Sequence, residues 1–341
     1  MSGKPTIIMT AGDPWSITTE AWARLLFDPG APWRGLLATD RLELVLCGSG
    51  VLIERQLKAL GSALPAKGLR VIDDGIAVSG DLYPQDAASR GRHAVAGLEL
   101  ALEVCAGAAR TGTVAVVTGP IDKKACSLAG FKHPGQTEFF EEVWSTGPNL
   151  ALSGSAALML LAGPRLRVGL ATRHVALRDV SRALTRDGIA RQASIFIDTL
   201  RRTFGIDHPR LAVCGLNPHA GDRGLFGDEE NRIISPAIEL ARSQPANEGA
   251  VISGPMSADT IFYESWNGAW DGVLAMYHDQ GLGPLKALHF HEAVNISAGL
   301  QHLRVSPDHG PAAGLFLSGK ANLGSFAAAI ELAARHLGVA P

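Results

Sequence analysis

RDGIARQASIFIDTLRRTFGIDHPRLAVCGL, residues 186–216, decides the fold class. Ile189, Ala193, Phe196 and Leu200 recur at spacings of three and four, the apolar stripe of an amphipathic helix. RLAVCGL then gives a short, unbroken apolar run that halts at glycine, as a strand buried on both faces does. Working outward, the same kind of run recurs as TIIMT (6–10), LELVLCG (42–48), TVAVVTG (113–119), ALMLLAG (157–163), RVGLAT (167–172), AVISG (250–254) and GVLAMY (272–277). Helical stretches such as AASRGRHAVAGLELALEVCAGAAR (87–110) lie between them. Strand–helix alternation of this kind predicts an α/β protein with largely parallel sheets covered by helices.

The chain has 341 residues, long enough for two lobes of about 150 residues each. We expect two α/β/α lobes, the first from residues 1–140 plus 305–341 and the second from 141–304. No Pro/Gly/Ser-rich linker, internal repeat or low-complexity tract marks a division.

With 46% hydrophobic and 19% charged residues, a large core can form. The formal net charge of −2 provides no global basic surface for nucleic acid or anionic lipid, although a local basic cleft for an acidic metabolite is compatible with it. No apolar run is long enough for a membrane span or a signal peptide, and the four cysteines show no C-x-x-C spacing. Cytoplasmic thiols are the expectation.

Three histidines stand just after apolar runs: His174 in ATRHVAL, His219 in GLNPHAGDRG and His278 in YHDQGLGPLK. Ligands in open α/β sheets bind beyond the carboxyl ends of strands. Three imidazoles with an open fourth position suit a catalytic divalent ion. A strand-end histidine bonded to a backbone group is the plainer alternative for each. Asp279 could orient an imidazole from behind. Lys286, Asn295 and Arg304 follow, and Lys and Arg suit carboxylate and phosphate. Gly48-Ser49-Gly50 resembles the start of a dinucleotide turn, but Ile53 stands where a third glycine belongs, so an ordinary strand-to-helix turn is expected.

Taken in order, TGPIDKKACSLAGFKHPGQTEFFEE (118–142), ATRHVALRD, CGLNPHAGDRGLFGDEE, GPMSADTIF, AMYHDQGLGPLK, VNISAGL and RVSPDHG resemble the 4-hydroxythreonine-4-phosphate dehydrogenase family. NPHAG and YHDQG are the most specific of these. The resemblance implies a homodimer with a cleft between lobes and an active site at the subunit interface. It places the metal ligands on His174, His219 and His278, with His278 from the opposite subunit. Zinc is the first choice of ion, and Mg, Mn, Co or Fe are compatible. Substrate contacts fall on Thr137, Lys286, Asn295 and Arg304, with Gln136 where the family has a substrate-contacting histidine. The implied reaction oxidises a secondary alcohol β to a carboxylate, with NAD or NADP as acceptor and with decarboxylation. Lys286 and Asp279 are the candidates for the base.

Three departures stand out. Gln136 replaces that histidine, the first loop reads GDPWSITTE (12–20), and Pro311 follows DHG where the family has threonine. They motivate two alternatives to 4-phosphohydroxy-L-threonine oxidation: a dehydrogenase of a carboxylated cis-dihydrodiol of the terephthalate type, and a non-catalytic small-acid-binding protein on the same fold.

Overall fold

The glycine-stopped apolar runs become strands because each buries Val, Ile or Leu on both faces. The computed structural model describes residues 4–38, 41–78, 80–110, 112–144 and 157–339. The chain forms two units, Met1–Trp144 with His302–Pro341, and Ser145–Gln301.

The first unit contains β1 (Thr6–Thr10), α1 (Thr18–Trp22), α2 (Arg34–Ala38), β2 (Glu43–Cys47), α3 (Gly50–Ala59), β3 (Leu69–Ile72), α4 (Ala87–Ala108), β4 (Val114–Thr118), α5 (Lys123–Leu128) and α6 (Gln136–Trp144). The final segment adds β11 (Leu303–Pro307) and α12 (Gly324–His336). Its strands run β3-β2-β1-β4-β11, all parallel. The order reverses between β1 and β4, the place where open α/β sheets accept ligands. Gly12, directly after β1, holds φ +67°, and a Cβ there would lie 2.3 Å from the carbonyl oxygen of Pro120. The loops after β1 and β4 can approach this closely only because residue 12 has no side chain.

Helix starts follow the local chemistry. Asp86 caps α4 by accepting from Ser89 N at 2.7 Å, and Asp122 caps α5 by accepting from Lys124 N and Ala125 N. Ser49 caps α3 by accepting from Leu52 N, so the Gly48-Ser49-Gly50 turn leads from β2 directly into the helix. Gly91 lets α4 lie directly on α5: a Cβ at 91 would sit 2.0 Å from Ala125 O.

The second unit contains β5 (Leu158–Ala162), β6 (Arg167–Leu170), α7 (Val180–Ala183), α8 (Arg186–Arg202), β7 (Arg210–Cys214), α9 (Ser235–Arg242), β8 (Val251–Met256), α10 (Ala258–Trp266), β9 (Gly272–Ala275), α11 (His278–His289) and β10 (Val294–Ala298). Its strands run β10-β5-β6-β9-β7-β8. The β6, β9, β7 and β8 pairings are parallel, and β5 is antiparallel to both β10 and β6. Leu161, Leu166, Val168, Ala212, Val273 and Leu285 are fully enclosed in its core. Burial of each Leu or Val contributes ~1.5–3 kcal/mol. The largely parallel α/β architecture expected from the alternation is therefore present in both units. Among the described residues no helix is long and apolar enough to cross a membrane.

Candidate functional site

In the first unit a cation is buried at the ends of β4 and β11. Arg304 sits on β11, in register with Val116, and is only 3% exposed. Its Nη2 donates to Thr118 Oγ1 at 2.6 Å and to Gln136 Oε1 at 3.0 Å. Removal from water pulls its pKa down to about 10, against the opposing pull of Glu138. Gln136 opens α6, and its Nε2 donates to Gly119 O at 3.0 Å. Thr137 is the next residue of the helix and is half-buried. Gln136 and Arg304 are thus brought together, with Thr118 as a third member that sequence reasoning had not singled out.

The three histidines lie in the second unit. His174 follows β6 and is exposed; His278 is the first residue of α11, after β9. Their ring centroids are 5.8 Å apart. A ring bound through one nitrogen places its centroid ~3.2 Å from a zinc ion, so two ligands of one ion have centroids ~5.2 Å apart at the tetrahedral angle and at most ~6.4 Å. The observed pair fits that limit. Asp279 Oδ1 lies 2.6 Å from His278 Nδ1, which leaves Nε2 for a ligand. This carboxylate fixes the ring and is itself exposed. Among the described residues no set of three His, Cys, Asp or Glu side chains is gathered for a metal within one chain.

His219 occupies an unusual backbone. Five successive residues, His219 to Arg223, hold positive φ: 53°, 51°, 79°, 39° and 56°. Only Gly221 among them adopts this region without steric cost. The turn is held from below by Glu230, which is 3% exposed and opens a π-helical turn (Glu230–Ile234). Its Oε1 accepts from Leu216 N at 2.8 Å and Asn217 N at 2.7 Å, and its Oε2 accepts from Asn217 Nδ2 at 2.9 Å. Glu230 lies within the family-like GDEE stretch, but nothing in the sequence separates it from a solvated surface carboxylate. His219 itself is exposed, as are Leu225 (77%) and Phe226 of the same loop.

Two other expected residues are placed apart from these rings in sequence. Lys286 stands eight residues beyond His278 on α11, roughly 12 Å along the axis. Asn295 is the second residue of β10, in register with Leu161, and its buried Oδ1 accepts no hydrogen bond among the described residues.

The divergent first loop is an interlocked piece of the first unit. Asp13 accepts from Trp15 N at 2.7 Å and pairs with Arg90 at 3.4 Å. Burial pushes its carboxyl pKa up, partly offset by the Trp15 hydrogen bond and the Arg90 charge. Trp15 stacks on Tyr83 at 5.1 Å and 4°, Arg90 lies 5.1 Å from the Trp15 ring, and Phe316 meets Tyr83 edge-on. The indole thus engages Tyr83 and Arg90 of its own protein. Ile17 N donates to Pro311 O at 3.1 Å, so two of the sequence departures are joined directly. A small pocket beyond β1 and β2 is lined by Asp13, Ser49, Gln56 and His93, and His93 Nδ1 is 2.6 Å from the buried Asp74 Oδ2.

Residues 45–333 match the profile of the family described as pyridoxal phosphate biosynthetic protein PdxA. A 4-hydroxythreonine-4-phosphate dehydrogenase from Geobacter metallireducens is 36% identical over 342 residues, covering 97% of this chain and 95% of that protein. One from Desulfosudis oleivorans is 46% identical over 219 residues, covering 64% of this chain and 62% of its own length. The crystal structure of the Klebsiella pneumoniae enzyme of that name superposes with a TM-score of 0.79 at 33% identity, covering 99% of this chain and 98% of that one. A terephthalate 1,2-cis-dihydrodiol dehydrogenase from Burkholderia xenovorans has a TM-score of 0.65 at 24% identity, covering 99% of this chain and all of that one, a likeness of fold alone.

Proposed function

We infer the activity of this chain from one premise: it belongs to the PdxA family. The proposed reaction is the NAD(P)-dependent oxidation of 4-phosphohydroxy-L-threonine, whose secondary alcohol lies β to the carboxylate. The alcohol carbon gives hydride to the nicotinamide and its oxygen gives up a proton. The β-keto acid then loses CO₂. The observation that carries this reading is the His174–His278 pair, 5.8 Å between rings, with Asp279 behind His278. It is a built pair of imidazoles at strand ends, and a non-catalytic acid-binding protein has no need of it.

His174, His219 and His278 would hold the divalent ion, with zinc the first choice from the all-imidazole donor set. When bound, the ion supplies Lewis acidity toward the alcohol. Asp279 orients His278 from its Nδ1 side, which leaves Nε2 for the ion. Arg304 receives an anionic group of the substrate, assisted by Gln136 and Thr137, while Lys286 and Asn295 serve its remaining polar groups. Lys286 is the better candidate for the alcohol proton, because the Asp279 carboxylate is already engaged by His278. The exposed His219, beside exposed Leu225 and Phe226, supports a homodimer in which His219 and His278 of different chains serve one site. A small anionic substrate in a cytoplasmic enzyme completes the reading.

The test is NAD(P)H formation on adding 4-phosphohydroxy-L-threonine to the purified protein, before and after chelation and with zinc restored. Metal-dependent turnover is expected. A metal-replete dimer that forms no NAD(P)H with this compound would overturn the assignment.

A further inference from the structure

Gln136 stands where the resemblance leads one to expect a histidine that touches substrate. Its geometry assigns it a different task. Both ends of its amide are engaged by the protein: Oε1 accepts from Arg304 Nη2 at 3.0 Å, and Nε2 donates to Gly119 O at 3.0 Å. Only one orientation of the amide satisfies both partners, since a guanidinium cannot accept and a carbonyl cannot donate. Thr118 Oγ1 accepts from the same Nη2 at 2.6 Å. The strand end Thr118-Gly119 therefore holds the guanidinium twice, directly through Thr118 and indirectly through Gln136 anchored on Gly119.

We propose that Gln136 is a positioning residue that clamps Arg304 toward the anionic end of the substrate and makes no substrate contact of its own. The proposal rests on the functional reading above for the identity of the anion. Its physical basis is that Arg304 is almost wholly buried, where the direction of a guanidinium is set by the acceptors around it. A fixed fork meets phosphate with less ordering on binding than a mobile one. Gln136 carries no proton that titrates near neutrality, so it adds no charge of its own to that of Arg304. The substitution thus keeps the anion site but removes a group that would gain and lose charge near pH 6.5.

A double-mutant cycle tests this, with binding of 4-phosphohydroxy-L-threonine and its KM and kcat as readouts. Gln136→Leu should raise KM about tenfold, the loss of one charge-assisted bond, with kcat within about twofold. In an Arg304→Met background the same Gln136→Leu change should alter affinity by less than about twofold, because there is no guanidinium left to direct. Full, independent effects in the two backgrounds would show that Gln136 touches substrate and overturn the proposal. A second readout needs no substrate. In ¹⁵N-arginine-labelled protein, the Arg304 guanidinium should give a slowly exchanging signal that persists in Gln136→Glu, which keeps the acceptor, and broadens or vanishes in Gln136→Leu. An unchanged signal in Gln136→Leu would also overturn the clamp. If the wild type fails to bind or turn over the phosphorylated compound, the assigned reaction falls, and the guanidinium signal still decides the clamp.

Discussion

Removing the Glu230 carboxylate should loosen the His219 turn far more than it destabilises the protein. Four non-glycine residues of that turn, His219, Ala220, Asp222 and Arg223, hold left-handed backbone, at ~1–2 kcal/mol each, or ~4–8 kcal/mol together. Glu230 accepts three hydrogen bonds from Leu216 and Asn217. At ~1.5–3 kcal/mol for a bond to a charged group, these contribute ~4.5–9 kcal/mol. The two sums nearly cancel. In Glu230→Ala the turn can therefore relax, giving up bonds and strain together. We expect a global loss of only ~1–2 kcal/mol and a fall in Tm of ~2–8 °C. The local effect should be large: hydrogen exchange over residues 215–227 should lose most of its protection, and zinc binding should weaken by at least the ~10–100-fold typical of a supporting residue. Glu230→Gln, which keeps an acceptor oxygen but not the charge, should fall between. Unchanged exchange at Leu216 and Asn217 in the alanine variant would refute this balance. So would cooperative unfolding of the whole chain.

Further outcomes follow from other features of the molecule. His219→Ala should reduce the zinc content measured by elemental analysis, and unaltered stoichiometry would remove His219 from the ligand set. Mixing inactive His219→Ala with inactive His278→Ala should restore part of the turnover after subunit exchange, because one site of the mixed dimer is then intact; no recovery would count against a shared site. Asp13 has its carboxyl pKa raised above the ordinary 3.8 by burial, so the fold favours its protonated form. That stabilising contribution is complete below pH ~3.8 and is lost as pH rises through the folded-state value. Asp13→Asn should therefore gain in Tm relative to wild type as pH rises from about 4, and a relative decline with rising pH would contradict the burial argument. All four cysteines are free and buried, and burial pushes each thiol up to about 12. A thiol reagent at pH 8 should label none in the native state and all four in denaturant; rapid native labelling would contradict the packing.

The parts of the fold that were legible are those whose apolar runs are unbroken. TIIMT, LELVLCG, TVAVVTG and RLAVCGL could be read as strands because, beyond the first strand residues Glu43 and Arg210, the positions facing both ways are apolar or small. The strands β3, β10 and β11 were not, and the reason differs. β3 is the end strand of its unit's sheet and only half-buried, so it needs no continuous apolar run. β10 and β11 carry Asn295 and Arg304 within them, and a polar group placed in a strand for chemistry interrupts the very pattern by which strands are found. The histidines were visible because each stands outside a strand end. Glu230 was not, since its role exists only once the left-handed turn brings Leu216 and Asn217 onto it. Nor was the clamp at Gln136, whose partners are 17 and 168 residues away along the chain.

The pairing of β11 with β4 also imposes an order of assembly during synthesis. The second unit is one continuous stretch, so all of its own strands have been made by Gln301. The first unit cannot complete its sheet until Leu303–Pro307 has been made, roughly 190 residues after β4, on the order of 10–40 s at ~5–20 residues per second. Throughout that interval Val114–Thr118, apolar along its length, has one bare edge of the kind that recruits foreign strands. The half of the protein that is translated first is therefore the half that is finished last, and β4 is the strand that waits longest for its second partner.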